Sequence, residues 1–139
     1  TLQSNESQSV SLREEMEFAS AYIFLLKMRF ENNLQFDIQI AKSFEDYRLP
    51  PMAVQVLIEN AVKHNEISDR KPLTIHIVTN NEGYLSVSND IQPKRTAASG
   101  TGIGLVNLAK RYRLLFKQDI QITEDKEFSV CIPLIDEVQ

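Results

Sequence analysis

The stretch Leu49-Pro50-Pro51-Met52-Ala53-Val54-Gln55-Val56-Leu57-Ile58-Glu59-Asn60-Ala61-Val62-Lys63-His64 decides how this chain folds. Proline is tolerated in the first turn of a helix and stiffens the approach to it, so the pair at 50 and 51 reads as a helix start. Val54, Leu57, Ile58, Ala61 and Val62 then recur with helical spacing and form one broad apolar stripe. Asn60, Lys63 and His64 stand three and four residues apart, on a different face. An amide oxygen is a hard ligand suited to Mg²⁺, and a lysine one turn on can neutralise phosphate oxygens.

A second concentration of chemistry lies about forty residues on. Three of the chain's four glycines fall in Ser99-Gly100-Thr101-Gly102-Ile103-Gly104-Leu105. An apolar-periodic segment follows at once, so the loop leads into a helix N-terminus, where free N–H groups and the dipole favour an anion such as phosphate. The spacing matches neither the dinucleotide-binding fingerprint nor a P-loop, which ends in Gly-Lys-Ser/Thr.

Outward from these two segments, periodicity places the remaining elements. Ser11-Leu12-Arg13-Glu14 is a capping box, so a helix begins at Leu12, with Met16, Ala19, Ile23, Leu26 and Phe30 as its stripe and Asn32-Asn33 as its end. Residues 34–40 alternate apolar and polar as a half-buried strand, and 41–48 read as a polar connection. The second helix is expected over 51–66. Strands over 73–79 and 84–89 flank Asn80-Asn81-Glu82-Gly83 as a hairpin, and strands over 120–123 and 128–134 form another. A third helix is expected over 103–116, with Val106, Ala109 and Leu108 or Tyr112 facing inward. These elements predict an α+β two-layer sandwich, a mostly antiparallel sheet with helices on one face.

At 139 residues the chain suits one domain, and its net charge of −4 argues against nucleic acid as a partner. No segment is apolar for long enough to span a membrane, and no direct membrane contact is expected of it. Cys131, the single cysteine, lies in an apolar run and is expected to be a buried small hydrophobe. His76 is expected to be structural. The opening residues 1–10 read as a flexible polar lead-in of a piece of a longer protein.

Glu59-Asn60-Ala61-Val62-Lys63-His64 resembles the N-box of the ATP-binding domain of sensor histidine kinases, in the GHKL superfamily with gyrase, MutL and the heat-shock chaperone ATPases. Gly100-Thr101-Gly102-Ile103-Gly104-Leu105 resembles that family's G2 box. Glu14-Glu15-Met16-Glu17-Phe18, Lys27-Met28-Arg29-Phe30 and Gly104-Leu105-Val106-Asn107-Leu108-Ala109-Lys110-Arg111-Tyr112 are similar to LytS-like members, so the resemblance runs over about 11–134. It implies the Bergerat fold, with a connector helix over 11–33, an ATP-binding domain over 34–139 and an ATP lid over about 91–101. It also implies that Asn60 holds the Mg²⁺ bridging the ATP phosphates, that Lys63 and His64 contact those phosphates, and that the backbone of residues 100–104, with Leu105 behind it, lines the nucleotide site. Glu59 either orients or activates the attacking group or pairs with Lys63, and Lys94 or Arg95 either reaches the phosphates or belongs to an ordinary surface loop.

Two departures from the family pattern stand out. Its G1 box places an aspartate against the adenine amino group, followed by two glycines; here Val87-Ser88-Asn89-Asp90-Ile91-Gln92-Pro93 offers Asn89 or, one register on, Asp90, and no glycine. The water-activating glutamate of the hydrolysing members falls at Val56, which favours phosphotransfer over ATP hydrolysis. The resemblance therefore implies the catalytic domain of a kinase that passes the γ-phosphate of Mg-ATP to a histidine outside this chain. The implied partners are dimerisation and phosphoacceptor helices of the same full-length protein, a homodimer, and the receiver domain of a response regulator. The implied setting is the cytoplasmic side of a bacterial inner-membrane sensor. A degenerate domain that has lost useful ATP binding through its G1 box is the alternative, and an anti-sigma-type serine kinase is a third reading.

Overall fold

Ser11 opens the first long helix in the way its sequence dictates. Its hydroxyl accepts from the Glu14 amide at 3.1 Å while the Glu14 carboxylate accepts from the Ser11 amide at 3.1 Å, a reciprocal capping box. The structure, a computed structural model, describes residues 8–94 and 102–137. Within them β1 (Val10–Ser11) leads into α1 (Leu12–Phe30), β2 (Leu34–Gln39), β3 (Arg48–Leu49) and α2 (Ala53–His64). Then come β4 (Leu73–Thr79), β5 (Tyr84–Asp90), α3 (Ile103–Phe116), β6 (Gln121–Glu124) and β7 (Glu127–Pro133).

Five strands form one sheet in the order β2-β4-β5-β7-β6, with β2 parallel to β4 and every other pair antiparallel. The register sets Leu34, Phe36 and Ile38 beside Leu73, Ile75 and Ile77. Because side chains alternate across a pleat, this row lines one face and Asp37 beside His76 lies on the other. The three helices cover the apolar face, where Leu57, Ile58, Ile75, Ile77, Leu85 and Tyr112 are buried. The expected two-layer α+β sandwich is what the chain adopts. The helix read as a connector packs on α2 and contributes Leu12, Ala19 and Leu26 to the same core.

Several local expectations need correction. Residues 41–48 are more than a polar connection: they end in β3, which pairs antiparallel with β1 as a separate two-stranded ribbon. Strands of two residues carry no readable period. The second helix starts at Ala53, later than the prolines suggest, because Met52 adopts a left-handed conformation with φ 71°. Val106 is 52% exposed, so the inward face of α3 is carried by Leu108 and Tyr112. Cys131 is only partly buried: it faces Ser86 across β5 and β7, on the side of the sheet away from the core residues Val130 and Ile132. His76 is held by the Asp37 carboxylate at 2.9 Å, a structural role as expected.

Candidate functional site

The site is built around α2, and both ends of that helix are fastened by residues distant in sequence. At the N-terminus Met52 has no side-chain oxygen with which to cap the free amides. Glu15 of α1 supplies it, its two carboxylate oxygens accepting from the Met52 amide at 2.9 Å and the Val54 amide at 3.0 Å. Glu15 is 1% exposed. Burial pushes its carboxyl above the usual range, while the amides of Met52, Val54 and Gln55 and the nearby Arg111 pull part of the way back. Arg111 of α3 also donates to the Pro51 carbonyl at 2.6 Å, so three helices meet at this turn.

At the C-terminus the buried Asn65 joins α2 to the segment that follows β5. Its amide nitrogen donates to the Ala61 carbonyl at 2.8 Å and its oxygen accepts from the Gln92 amide at 2.7 Å. The Glu66 amide donates to the Gln92 carbonyl at 2.6 Å, and the Gln92 side chain donates to the carbonyls of Glu66 and Lys71. The stem of the expected lid is therefore laced to the end of α2. Neither Glu15 nor Asn65 announces this role in sequence; each resembles an ordinary polar residue at a helix end, and only the fold brings its partner.

Beside this lacing lies a cavity of about 310 Å³. Asn60 and His64, one turn apart on α2, line it together with Ile91, Leu105 from the first turn of α3, and Glu124 and Phe128 from the β6–β7 hairpin. The two segments singled out in sequence thus meet at one place. Gly102 precedes α3 with φ 75°, a conformation that glycine adopts without the Cβ clash. Ile103 and Gly104 are exposed, and Gly104 approaches Val56 of α2. Gly100, Thr101 and Arg95, with most of the expected lid, lie outside the described residues.

Lys63 and Glu59 do not share that cavity. They line a wider opening of about 1120 Å³ on the other flank of α2, with Lys94 at its rim, so the face expected to present Asn60, Lys63 and His64 together straddles two openings. Glu59 and Lys63 form no ion pair with each other, although they stand one turn apart. Asn89 is buried in β5, opposite Phe128, and its amide nitrogen donates to the Asp90 carbonyl at 2.7 Å. Asp90 opposes Glu127 at the exposed strand end, so the two candidate adenine readers point to opposite faces.

No cluster of three or more His, Cys, Asp or Glu able to hold a metal exists among the described residues. Asn60 alone still fits Mg²⁺, which keeps several waters and is commonly held by one or two protein oxygens plus substrate phosphates. No helix among the described residues is long and apolar enough to cross a membrane.

No family model matches the chain. The sensor protein LytS of Streptococcus mutans is 34% identical over 141 residues, covering 90% of this chain and 24% of the relative. The sensor histidine kinase BtsS of Escherichia coli is 28% identical over 120 residues, covering 84% of this chain and 21% of the relative. The chain thus spans about a quarter of the length of the curated relatives it matches. Among solved structures, a nucleotide-free catalytic domain of histidine kinase ThkA superposes with a TM-score of 0.61 at 19% identity, over 92% of this chain and 97% of that one. The cytoplasmic segment of histidine kinase QseC gives 0.60 at 9% identity, over 93% and 78%. By sequence the chain is similar to the LytS sensor proteins, and by fold it is built as the catalytic domains of histidine kinases are.

Proposed function

We propose that this chain binds Mg-ATP and presents the γ-phosphate to a histidine on another segment or chain, as the catalytic part of a sensor histidine kinase. The observation that carries the reading is the convergence of Asn60 and His64 with Leu105, Ile91 and Phe128 on one cavity. In this reading the adenine stacks among Ile91, Leu105 and Phe128, and the Asn89 oxygen accepts from its amino group, since the Asn89 nitrogen is committed to the Asp90 carbonyl. Asn60 holds Mg²⁺, which when bound neutralises the phosphate oxygens. His64 contacts the phosphates from inside the cavity, and Lys63 reaches over the helix edge with Lys94. Glu59 orients the acceptor group. The backbone of residues 102–104, at the start of α3, faces the phosphates in this reading.

The partners that follow are the phosphoacceptor helices of a homodimeric sensor, the receiver domain of a response regulator, and a bacterial inner membrane that holds the whole protein with this part in the cytoplasm. Val56 occupies the position where a water-activating carboxylate would sit, so little ATP hydrolysis by the isolated chain is expected. Titration calorimetry with ADP and ATP, with and without Mg²⁺, tests the reading. Binding that requires Mg²⁺ and falls at least tenfold in Asn60→Ala supports it; no binding at millimolar nucleotide refutes it.

A further inference from the structure

The wider opening beside α2 holds more positive charge than nucleotide binding at the neighbouring cavity uses. Arg29 from α1, Lys63 from α2, Arg70 and Lys71 from the connection to β4, and Lys94 from beyond β5 all line it. That is five of the fifteen Lys and Arg residues of a chain whose net charge is −4. None of the five makes an ion pair among the described residues. Like charges gathered in excess of their counter-ions are costly unless something anionic joins them.

Two carboxylates, Glu59 and Glu66, line the opening with these five cations, which outnumber them. Asp69, next to Arg70 in sequence, accepts from the Asn33 side chain at 2.8 Å. Glu66 accepts from the Ser68 hydroxyl at 2.9 Å. The basic loop is also fixed in shape: Ser68 and Lys71 exchange two backbone hydrogen bonds, and the Gln92 side chain donates to the Lys71 carbonyl. A preformed loop loses little entropy when it receives a ligand. The floor is apolar and aromatic, from Tyr22, Leu26 and Phe30.

We propose that this opening is a second anion site, separate from the nucleotide cavity, for a small ligand that carries two or more adjacent phosphates. The Asn65–Gln92 lacing forms the wall between the two openings, and Asn65 lines both. Arg29, Arg70 and Lys71 belong to this site alone. The inference goes beyond the nucleotide-binding reading and stands without it.

Inorganic tripolyphosphate, titrated calorimetrically at low salt without Mg²⁺, is the probe. The expected result is one binding event per chain, weakened tenfold or more in Arg70→Gln/Lys71→Gln and unchanged in the control Lys42→Gln/Lys110→Gln, whose residues are exposed and do not line the opening. All four substitutions sit on exposed residues, so folding is preserved and circular dichroism checks it. Saturating ADP, whose own binding is measured in the same series, is expected to leave tripolyphosphate bound with less than tenfold loss. Absence of tripolyphosphate binding, equal weakening in the control, or complete displacement by ADP overturns the proposal.

Discussion

The two ends of α2 are fastened by the same device, a side chain that bonds backbone groups far away in sequence, yet they serve different purposes. At the N-terminus Glu15, sealed in the core, ties α1 to α2, and Arg111 ties α3 to the same turn. At the C-terminus Asn65 ties α2 to the stem of the expected lid, between two openings. The first fastening stabilises the scaffold; the second sets the position of the segment beside the proposed nucleotide cavity. A charged cap suits the buried end because three amide donors and a helix dipole face it. A neutral amide suits the other end because it must donate to one carbonyl and accept from one amide at once.

Substitutions at the two ends can break this contrast. Glu15→Ala leaves the first-turn amides of α2 buried without acceptors, and a loss of about 2–4 kcal/mol is expected. Urea denaturation measures it, and nucleotide affinity of the folded fraction should stay unchanged. Asn65→Ala is expected to cost less, about 1–3 kcal/mol. It should also weaken ADP binding several-fold, because residues 91–93 lose their anchor. If Glu15→Ala weakened binding more than Asn65→Ala at equal folded fraction, the division of labour would be wrong.

Smaller effects sharpen the comparison. Gly102→Ala puts a Cβ on a left-handed residue with open space around it, so the expected loss of about 1 kcal/mol is conformational strain alone. Thermal unfolding reads it directly. The smallest effect is on the open face of the sheet. There the Gln39 and His76 side chains hold the Asp37 carboxyl below the usual carboxylate range. A depressed pKa gives stability that is present above the unfolded value and is lost as pH falls through the folded one. Asp37→Asn should therefore lower neutral stability slightly and flatten the acid limb of the stability curve below about pH 4.

What could be read from the sequence was what is encoded locally. The Ser11–Glu14 box, the alternation from Leu34 and the glycine before Ile103 each carry their geometry in neighbouring residues. The N-box and G2 resemblance groups Asn60, His64 and Leu105, and the three line one cavity. Distant pairings stayed hidden. Nothing in Glu15 names Val54 as its partner, and nothing in Asn65 names Gln92. The left-handed turn at Met52 was obscured by two prolines that resemble an earlier helix start. The separation of Lys63 from Asn60 was hidden because helical spacing gives the angle of a side chain on its helix, not which cavity lies beneath it.

The parallel pairing of β2 with β4 has a consequence for how the chain reaches this state. Leu34 meets Leu73, a partner roughly forty residues away across the whole of α2, and such long-range closure is slow. The β4–β5 hairpin closes over a four-residue turn and needs no such search. Refolding is therefore expected to begin at the hairpin and finish when β2 docks, so stopped-flow rates should respond more to Val87→Ala than to Phe36→Ala at matched loss of stability.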